Sequence, residues 1–421
     1  MKLLVYGINY RPELTGIGKY SGEMVKWFVD NDLDVRVITA PPYYPAWKIA
    51  NNYSGWKYTK EKHPEIVYRC PLYVPNKPST IKRLLHLSSF AFSSFFPLLM
   101  QARWKPDYII CIVPTLFCVP GALLLRKLTR AKVIIHIQDF EVDAMLGLGM
   151  AKKGVFATFA KKFEKWCLTS ADKVSTISKT MLSNASGKGV PQSNLIFFPN
   201  WSELERFKNV DGVKSVQLKE EFGIAEDKKV ILYSGNIGEK QGLEIVISAA
   251  QKMASNNFVF LFVGQGGGKE NLEKMCSTLN LENVIFKPLQ PYELLPALLN
   301  LADCHLVVQK KGAADAVLPS KLTNILAIGG NSVITAEENT ELGQLCKNNP
   351  GIAQCVEPES VDALISGIEK CLLMPRHNDV AIKYANASLD MNNVCLLYKT
   401  DAPDDIQCQD ICGRTIIKKK I

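Results

Sequence analysis

Short runs of almost wholly apolar residues alternate with longer amphipathic stretches, and this pattern occurs twice along the chain. In the first half the apolar runs occupy residues 2–7, 35–38, 108–113 and 133–137. Helical patterns lie between them, from about residue 19 to 29 and around residues 121–128. Near-continuous apolar strands separated by helices are typical of a parallel sheet that is covered on both faces. The first half is therefore predicted to be a doubly wound α/β domain.

The same alternation begins again near residue 230. Here the apolar runs occupy residues 230–235, 258–263, 283–286 and 304–308, and a helical pattern covers about 243–253. The polar, irregular stretch from residue 200 to about 216 is the natural linker. We expect two Rossmann-like domains, at residues 1–200 and 201–393, with ligands bound beyond the carboxyl ends of the strands, in a cleft between the domains.

Residues 394–421 differ from the sequence before them. They show no helical period, contain three of the cysteines and include Lys418, Lys419 and Lys420. We interpret this segment as a non-native or disordered tail, and the alternative is a divergent flexible terminus. Its cysteines are not taken as metal ligands.

Composition and charge narrow the function classes. The net charge is +9, from 50 Lys and Arg against 41 Asp and Glu. This mild excess suits an anionic small molecule or an anionic membrane surface better than it suits nucleic acid, so no nucleic-acid partner is expected. The 12 cysteines contain no CxxC pair, which argues against structural zinc and favours reduced thiols in the cytoplasm. No apolar run long enough for a signal peptide precedes Arg11.

The loop after the first predicted strand carries Gly16 and Gly18 and leads into a helix. Glycines let backbone N–H groups approach a ligand, and a helix N-terminus favours an anion. The loop is not the dinucleotide fingerprint, because Ser21 stands where the third glycine would be. A tight strand–helix turn without a ligand remains the alternative.

A second glycine-bearing loop follows the first strand of the second half. It contains Gly235, Asn236, Lys240 and Gln241, and it opens the next helix. Backbone amides together with the Lys240 ammonium could hold a phosphate there. The alternative is a solvated lysine at an ordinary helix start.

The third cluster, residues 310–324, follows the strand predicted at 304–308. Pro319 in a first helical turn and Ser320 near the N-cap indicate a helix start. Lys321 would then lie in the first turn, where a cation opposes the helix dipole and a bound anion would relieve the conflict. The alternative is an exposed lysine that tolerates this cost.

Two motifs resemble known sites without matching them. The glycine-rich run from Gly264 to Lys269 lacks one residue before the lysine of a P-loop, and Glu270 stands where Ser or Thr would bind magnesium. ATP hydrolysis by a P-loop mechanism is therefore excluded. His136 and Asp139 end a strand, but metal binding lacks a matching set of ligands. A contact from Asp139 to a sugar hydroxyl is the preferred interpretation.

Residues 84–100 form an apolar run without Asp, Glu, Lys or Arg. Lys82 and Arg83 precede the run, and Arg103 and Lys105 follow it. The run is slightly short for a membrane span and contains Pro97. An interfacial segment with basic flanks at the headgroups is slightly favoured over a buried helix.

Taken together, the motifs resemble the family 4 glycosyltransferases of the two-domain GT-B fold. The matching stretches include VYGINYRPELTGIGKY, HIQDFEVDAMLGLG, ILYSGNIGEKQGLE and GAADAVLPSKLTNILAIGGN, and the resemblance extends from residue 1 to about 393. It implies transfer of a sugar from a nucleotide-sugar donor, by likeness GDP-L-fucose, to a polyprenyl-diphosphate-linked glucose. The resemblance also implies retention of anomeric configuration, no metal and no cofactor, because the nucleotide sugar is a substrate.

This resemblance gives the site residues their expected roles. A departing diphosphate gains negative charge, which placed amides and lysines stabilise as it develops. Asp139, Lys240 and Lys321 are the expected catalytic residues. Donor binding is assigned to Gly16, Gly18, Gly235, Asn236, Gln241, Gly264, Gln290, Asp315, Ser320 and Asn324.

The chain departs from the wider family at two places. Many members have two glutamates eight residues apart in the second domain, whereas Ala316 and Asn324 occupy those positions here. Many members also have an arginine and a lysine in the phosphate loop, where this chain has Asn236 and Gln241. A glutamate contact to the nucleotide ribose is therefore not available in that form, although Asn324 could still form a hydrogen bond.

The resemblance implies a cytoplasmic enzyme of exopolysaccharide biosynthesis, specifically of colanic acid, that is peripherally attached to the inner membrane. The alternative is a non-catalytic sugar-nucleotide-binding subunit of a polysaccharide assembly complex, which the altered glutamate positions would support. A nicotinamide-dependent oxidoreductase is disfavoured, since the glycine fingerprint is missing.

Overall fold

The computed structural model describes residues 1–13, 16–76, 80–143, 155–208, 210–238, 241–254, 257–311 and 319–396. The chain divides into two compact units. Unit 1 comprises Met1–Phe198 and Cys395–Ile421. Of the second segment, the structure describes Cys395 and Leu396. Unit 2 comprises Pro199–Val394. The change of unit lies next to the boundary that the sequence predicted at residue 200.

Unit 1 is built on one large sheet with helices formed by the intervening chain. Its strands are β1 (Lys2–Tyr6), β2 (Asp34–Thr39), β3 (Thr59–Lys62), β4 (Ile66–Arg69), β5 (Tyr108–Val113), β6 (Lys132–Ile137), β7 (Lys173–Thr176) and β8 (Leu195–Phe197). Its α-helices are α1 (Gly16–Asp30), α2 (Thr80–Met100), α3 (Val119–Thr129), α4 (Val155–Ser170) and α5 (Lys179–Gly187). Short 3-10 turns lie at Gln101–Arg103, Leu116–Cys118 and Gln192–Asn194.

The sheet of unit 1 has the strand order β3-β4-β2-β1-β5-β6-β7-β8. All neighbouring pairs are parallel except β3 and β4, which pair antiparallel at one edge. From β1 the chain first builds toward β2 and then returns to place β5 on the other side. The topological switch point, where doubly wound sheets bind ligands, therefore lies between the carboxyl ends of β1 and β5.

Unit 2 has a smaller sheet and its own set of helices. Its strands are β9 (Lys229–Ser234), β10 (Phe258–Val263), β11 (Val284–Lys287), β12 (Cys304–Val307), β13 (Ser332–Thr335) and β14 (Gln354–Val356). Its α-helices are α6 (Leu204–Lys208), α7 (Gly212–Glu221), α8 (Glu244–Lys252), α9 (Lys269–Thr278), α10 (Leu295–Asn300), α11 (Ser320–Ala327), α12 (Glu341–Asn348), α13 (Val361–Leu372), α14 (Asp379–Ser388) and α15 (Met391–Cys395). A 3-10 turn at Tyr292–Leu294 precedes α10.

The sheet of unit 2 is parallel, in the order β11-β10-β9-β12-β13-β14. Alternate residues of β9 pack into two separate apolar clusters. Val230 and Leu232 join a cluster with α11, and Ile231 and Tyr233 join a second cluster with α8 and α13. Both faces of the central strand are thus buried, which explains its continuous apolar sequence. The switch point of this sheet lies between β9 and β12.

The predicted fold class, two doubly wound Rossmann-like units, is confirmed. Each apolar run named from the sequence is a strand within a residue or two of its predicted ends. Strands β3, β4, β7, β8, β13 and β14 were not singled out. They are short, at three or four residues each, and β3 is a polar edge strand with the sequence TKEK.

Three local expectations need correction. Helix α1 begins at Gly16 rather than near residue 19, so Gly16 and Gly18 belong to the helix and not to the loop before it. Pro319 is the N-cap of α11 and Ser320 its first residue, the reverse of the predicted order, and no side-chain hydrogen bond caps this helix. Val394 and Cys395 end α15, so these first two residues of the predicted tail are helical and not disordered. Residues 397–421 of the predicted tail lie outside the described residues.

Candidate active site

The predicted donor-binding residues of unit 2 follow strand ends at one edge of its sheet. Gly235 and Asn236 follow β9, Gly264 follows β10 and Gln290 comes soon after β11. Helix α11, which carries Lys321, follows β12 across a segment that is only partly described. Because parallel strands bring their carboxyl ends to the same edge, these residues all lie along one edge of the sheet. The loop after β9 and helix α11 flank the switch point between β9 and β12.

Lys321 lies against the loop that follows β9. Its Nζ atom is 4.2 Å from the centroid of the Tyr233 ring, a cation–π distance. A Cβ atom built on Gly235 would lie 3.7 Å from Lys321 Cδ, so the lysine stem also contacts this loop. The contact with Tyr233 therefore places the positive charge of Lys321, at the start of α11, beside the carboxyl end of β9.

The Tyr233 side chain is itself fixed by a hydrogen bond. Its hydroxyl donates to the backbone oxygen of Asn236 at 2.5 Å. Burial raises the pKa of Tyr233 well above its usual range, so the hydroxyl stays protonated and remains a donor. The ring that supports Lys321 is thus tied to the same loop that was predicted to bind phosphate.

Much of the predicted amide cradle is occupied within the chain. The Gly235 N–H donates to the Val263 oxygen at 3.0 Å, and the Ile237 N–H donates to the Gln265 oxygen at 2.9 Å. The Gly238 N–H donates to Gln241 Oε1 at 3.1 Å. These N–H groups already have partners within the chain, so phosphate binding by them stays a prediction and would require them to share or release those partners. The loop bonds instead to the segment after β10.

Gly264 has a packing reason for being glycine. A Cβ atom built on it would lie 1.9 Å from the Gly235 oxygen, and one on Gly266 would lie 2.2 Å from the Ile237 oxygen. The run that resembles a P-loop therefore lets two backbone segments touch. The Gly264 N–H donates to the Lys287 backbone oxygen at 3.2 Å.

Lys310 begins the third cluster, residues 310–324, but is not among the predicted site residues. A Cβ atom built on Gly242 would lie 2.6 Å from Lys310 Cγ and 3.1 Å from its Cε. The lysine stem therefore crosses the second half of the loop, at a glycine whose φ is +62°. Its sequence signal is its place in a basic pair, Lys310 and Lys311, that follows β12 after two residues.

The remaining predicted residues of unit 2 differ in their surroundings. Asn324 Oδ1 accepts a hydrogen bond from Ser202 Oγ at 2.9 Å, so one side of this amide is engaged by the start of unit 2. Gln290 donates from Nε2 to the Pro288 oxygen at 2.9 Å, and Ser320 is exposed. Lys240 and Asp315 lie outside the described residues.

In unit 1, the buried carboxylate of Glu13 lies just before the start of α1. Glu13 Oε1 accepts hydrogen bonds from the backbone N–H groups of Tyr43 at 3.1 Å and Tyr44 at 3.0 Å. A Cβ atom built on Gly18 would lie 2.3 Å from Glu13 Oε2. Gly18 is therefore required by packing against Glu13, and the predicted diphosphate contact at this helix start competes with a carboxylate. Burial raises the pKa of Glu13, and the backbone hydrogen bonds oppose that shift.

Glu141 is the residue of unit 1 whose chemistry the sequence analysis missed. Burial raises its pKa to about 8, an effect that Arg83 opposes and Asp139 reinforces. Its Oε1 has no hydrogen-bond partner among the described parts of the chain. Asp139, two residues earlier, is exposed just beyond β6. The sequence presents both as acidic residues after a strand, and burial alone separates them.

His136 is buried as a neutral side chain. Burial lowers its pKa to about 3, and its Nδ1 lies 3.0 Å from Ser175 Oγ. Among the described residues, no group of three or more His, Cys, Asp and Glu side chains could hold a metal ion.

One cavity lies near the carboxyl end of a strand, and another lies near the amino ends of two strands. One of about 560 Å³ in unit 1 is lined by Glu13, Tyr43, Tyr44 and neighbouring prolines, close to the carboxyl end of β2. A larger one, about 840 Å³ in unit 2, is lined by Lys229 and Asp303 at the amino ends of β9 and β12. Strand topology favours the carboxyl edge, so volume does not decide the site here.

Comparison with known proteins agrees with this architecture. The family described as "Glycosyl transferase 4-like domain" matches residues 15–201, and "Glycosyl transferases group 1" matches residues 215–388. The chain belongs to the family 4 glycosyltransferases of the GT-B fold and is a glycosyltransferase.

Its similarity to one curated protein extends along nearly the whole length of both chains. The chain is 61% identical to WcaI of Escherichia coli (strain K12) over 404 residues, which cover 95% of this chain and 99% of that protein. WcaI is described provisionally as a colanic acid biosynthesis glycosyl transferase.

Solved structures of low sequence identity share the fold. Sucrose-phosphate synthase from Thermosynechococcus elongatus matches with a TM-score of 0.71 and 14% identity, covering 95% of this chain and 97% of that chain. Anabaena HepE in complex with UDP and glucose matches with a TM-score of 0.65 and 14% identity, covering 95% and 98%.

Proposed function

We propose that this glycosyltransferase acts in colanic acid biosynthesis and transfers L-fucose from GDP-L-fucose to a polyprenyl-diphosphate-linked glucose, with retention of configuration. The pathway rests on the 61% identity to WcaI across nearly the full length of both proteins. Donor, acceptor and stereochemistry follow the family resemblance of the sequence motifs.

The observation that carries the mechanism is the placement of Lys321 at the carboxyl edge of the unit 2 sheet. Breaking the bond between the sugar and the donor phosphate leaves negative charge on the diphosphate. A cation already held 4.2 Å from the Tyr233 ring needs little rearrangement to meet that charge. We propose Lys321 as the catalytic cation, with Lys310 as a second contributor and Lys240 as a third from the undescribed part of the loop.

The nucleotide is proposed to bind along the same edge. Asn324 lies on the first turns of α11, where its N–H group can reach a ribose hydroxyl while Oδ1 keeps its bond to Ser202. The other predicted donor residues, Asn236, Gln290 and Ser320, present exposed or half-buried polar groups near the strand ends. This arrangement replaces the glutamate contact found in many family members.

The acceptor is proposed to bind at the carboxyl edge of unit 1. Asp139 is exposed beyond β6, as a contact to a sugar hydroxyl requires. Glu141, with its pKa raised to about 8, is mainly protonated at neutral pH and can donate a hydrogen bond. Two neighbouring carboxyl groups thus offer different hydrogen-bonding properties at one site.

The decisive experiment offers the purified full chain a panel of GDP- and UDP-sugars with a glucose-diphosphate-prenyl acceptor. We expect one donor, GDP-L-fucose, to give a fucosylated product whose new linkage has the donor's anomeric configuration by NMR. Tight binding of a nucleotide sugar without transfer to any acceptor would support the non-catalytic subunit instead. Preference for another donor would remove the fucose assignment but leave the enzyme class intact.

A further inference from the structure

Helix α2 (Thr80–Met100) of unit 1 has an unusual outward face. Exposed fractions are 71% for Ile81, 87% for Phe92 and 70% for Phe96, and Leu85 and Met100 are also exposed. At 3.6 residues per turn these five side chains fall within an arc of about 100°. We define them as the aromatic face. A surface helix of a water-soluble domain normally places polar residues there.

The opposite side of α2 is already used by the core of unit 1. Leu87, Phe90 and Leu98 are buried, and the hydroxyls of Tyr6 and Ser94 lie 2.7 Å apart. By length and composition, residues Ile81–Arg103 could cross a membrane, and no other helix among the described residues passes that test. Leaving the sheet would expose these core side chains, so the helix can meet a lipid surface with one face only.

Neighbouring elements extend the aromatic face. Tyr58 donates from its hydroxyl to the Ser93 oxygen at 2.9 Å, which holds an exposed tyrosine against α2. Helix α3 packs beside α2 at Gly121, where an added Cβ would lie 2.9 Å from Leu98. On α3, Leu124 and Leu128 are exposed one turn apart. Such a contiguous apolar patch marks an interaction surface.

The charges around the face select its partner. Helix α2 contains no acidic residue, and Lys82 is exposed in its first turn. Arg83 lies on the other side of the helix, where its charge acts on Glu141. Arg103 and Lys105 are exposed just after its end. If two copies paired through this face, parallel or antiparallel, basic ends would meet basic ends. An anionic lipid surface instead pairs with the charges at both ends and accepts the aromatic side chains.

We propose that the aromatic face of α2, flanked by Lys82, Arg103 and Lys105, docks on an anionic phospholipid surface and inserts Phe92 and Phe96 among the acyl chains. The docking surface adds a membrane partner to the proposed function. It rests on that function in one respect, because a lipid-linked acceptor requires the enzyme to reach a membrane. The helix lies in the plane of the interface and does not span the bilayer.

The test is flotation of the full chain with vesicles of phosphatidylethanolamine and phosphatidylglycerol, compared with vesicles of phosphatidylcholine alone. We expect preferential binding to the anionic vesicles that weakens as salt increases. The Phe92→Ser/Phe96→Ser variant should partition about 100-fold less well, since burial of each phenylalanine is worth roughly a tenfold change. The matched control is Leu373→Ser, an equally exposed apolar residue (86%) in unit 2, which should bind like the wild type.

A second variant isolates the electrostatic part. Lys82→Gln/Arg103→Gln should reduce binding to anionic vesicles and leave the weaker binding to phosphatidylcholine unchanged. Far-UV circular dichroism and the melting temperature confirm that the variants fold. Equal binding of Phe92→Ser/Phe96→Ser and wild type to anionic vesicles would overturn the proposal. So would a wild-type dimer in sedimentation that this variant converts to monomers.

Failure of this proposal is distinguishable from failure of the proposed function. Transfer to a short-chain, water-soluble acceptor should be equal in wild type and Phe92→Ser/Phe96→Ser, whereas transfer to an acceptor embedded in vesicles should fall. If the protein binds vesicles but transfers sugar to neither acceptor, the transferase assignment fails and the docking surface stands.

Discussion

Replacement of Lys321 by methionine tests the proposed mechanism most directly. Methionine keeps an unbranched apolar stem that can still pack on Tyr233 and beside Gly235, but it removes the charge. The interactions lost in the free protein include a partly exposed cation–π contact, since the centroid of the Tyr233 ring lies 4.2 Å from the ammonium. Such contacts contribute about 0.5–1 kcal/mol.

Effects on stability and on turnover should therefore separate. In the free protein the lost cation–π contact is opposed by relief of a cation in the first turn of α11, which also amounts to a few tenths of a kcal/mol or more. From these two opposing contributions, the free energy of unfolding should change by less than about 1 kcal/mol. In the transition state the missing charge faces a developing diphosphate, where one placed donor contributes about 10²–10³ in rate.

The assay is steady-state release of nucleoside diphosphate, with kcat and KM for the donor determined separately. We expect kcat to fall at least 100-fold in Lys321→Met. The control is Lys311→Met, which removes an exposed lysine of the same basic segment and should retain activity within about threefold. A loss below fivefold in Lys321→Met, with an unchanged melting temperature, would refute the assignment of this lysine to the leaving group.

Two further predictions concern packing and proton binding. Gly264→Ala should destabilise unit 2 by about 1–3 kcal/mol in urea unfolding, because its Cβ would lie 1.9 Å from the Gly235 oxygen. The control is Gly267→Ala, whose Cβ would have nothing within 4 Å and which should change stability by less than about 0.5 kcal/mol. Burial raises the pKa of Glu141 from 4.5 to about 8. Between these pH values the folded chain keeps a proton on Glu141 that the unfolded chain releases, so the wild type loses stability as the pH rises. Glu141→Gln should therefore gain stability relative to wild type by up to about 1.4 kcal/mol per pH unit from pH 5 to 8, and parallel profiles of unfolding free energy against pH would contradict the buried position of Glu141.

Hydrophobic patterning was sufficient to predict the central strands of both sheets. The run at residues 108–113 is apolar because β5 is covered on both faces, and burial of this kind leaves a signal in the sequence itself. The edge strand β3, with the sequence TKEK, has no buried face, so its sequence lacks the alternation of apolar and polar residues that would predict a strand. Its pairing with β4 depends on a hairpin whose contacts are not encoded as periodicity.

The candidate site was only partly predictable, because glycine has more than one use. Gly18 and Gly264 each look like ligand-binding glycines in the sequence, yet both make room for another part of the chain, Glu13 in one case and Gly235 in the other. The sequence shows that a side chain is absent but not what occupies the space. Lys310 and Glu141 were overlooked for a related reason, since proximity and burial arise from tertiary packing.

Helix α11 links these observations to a final prediction about ligand binding. Its first turn contains Lys321 and no acidic residue, and its N-cap, Pro319, forms no side-chain hydrogen bond. The start of the helix is thus doubly positive, from the lysine and from the helix dipole. A bound diphosphate would interact favourably with both of these positive charges.

GDP should therefore raise the melting temperature of the wild type more than that of Lys321→Met, because ligand stabilisation follows RT ln(1 + [L]/Kd) and a lost charge pair raises Kd. A tenfold weaker Kd corresponds to about 1.4 kcal/mol less stabilisation at saturating nucleotide. Guanosine, which lacks phosphate, serves as the control and should stabilise both proteins equally. If GDP shifted both proteins by the same amount, the diphosphate would not contact Lys321, and the positive start of α11 would need an explanation within the fold.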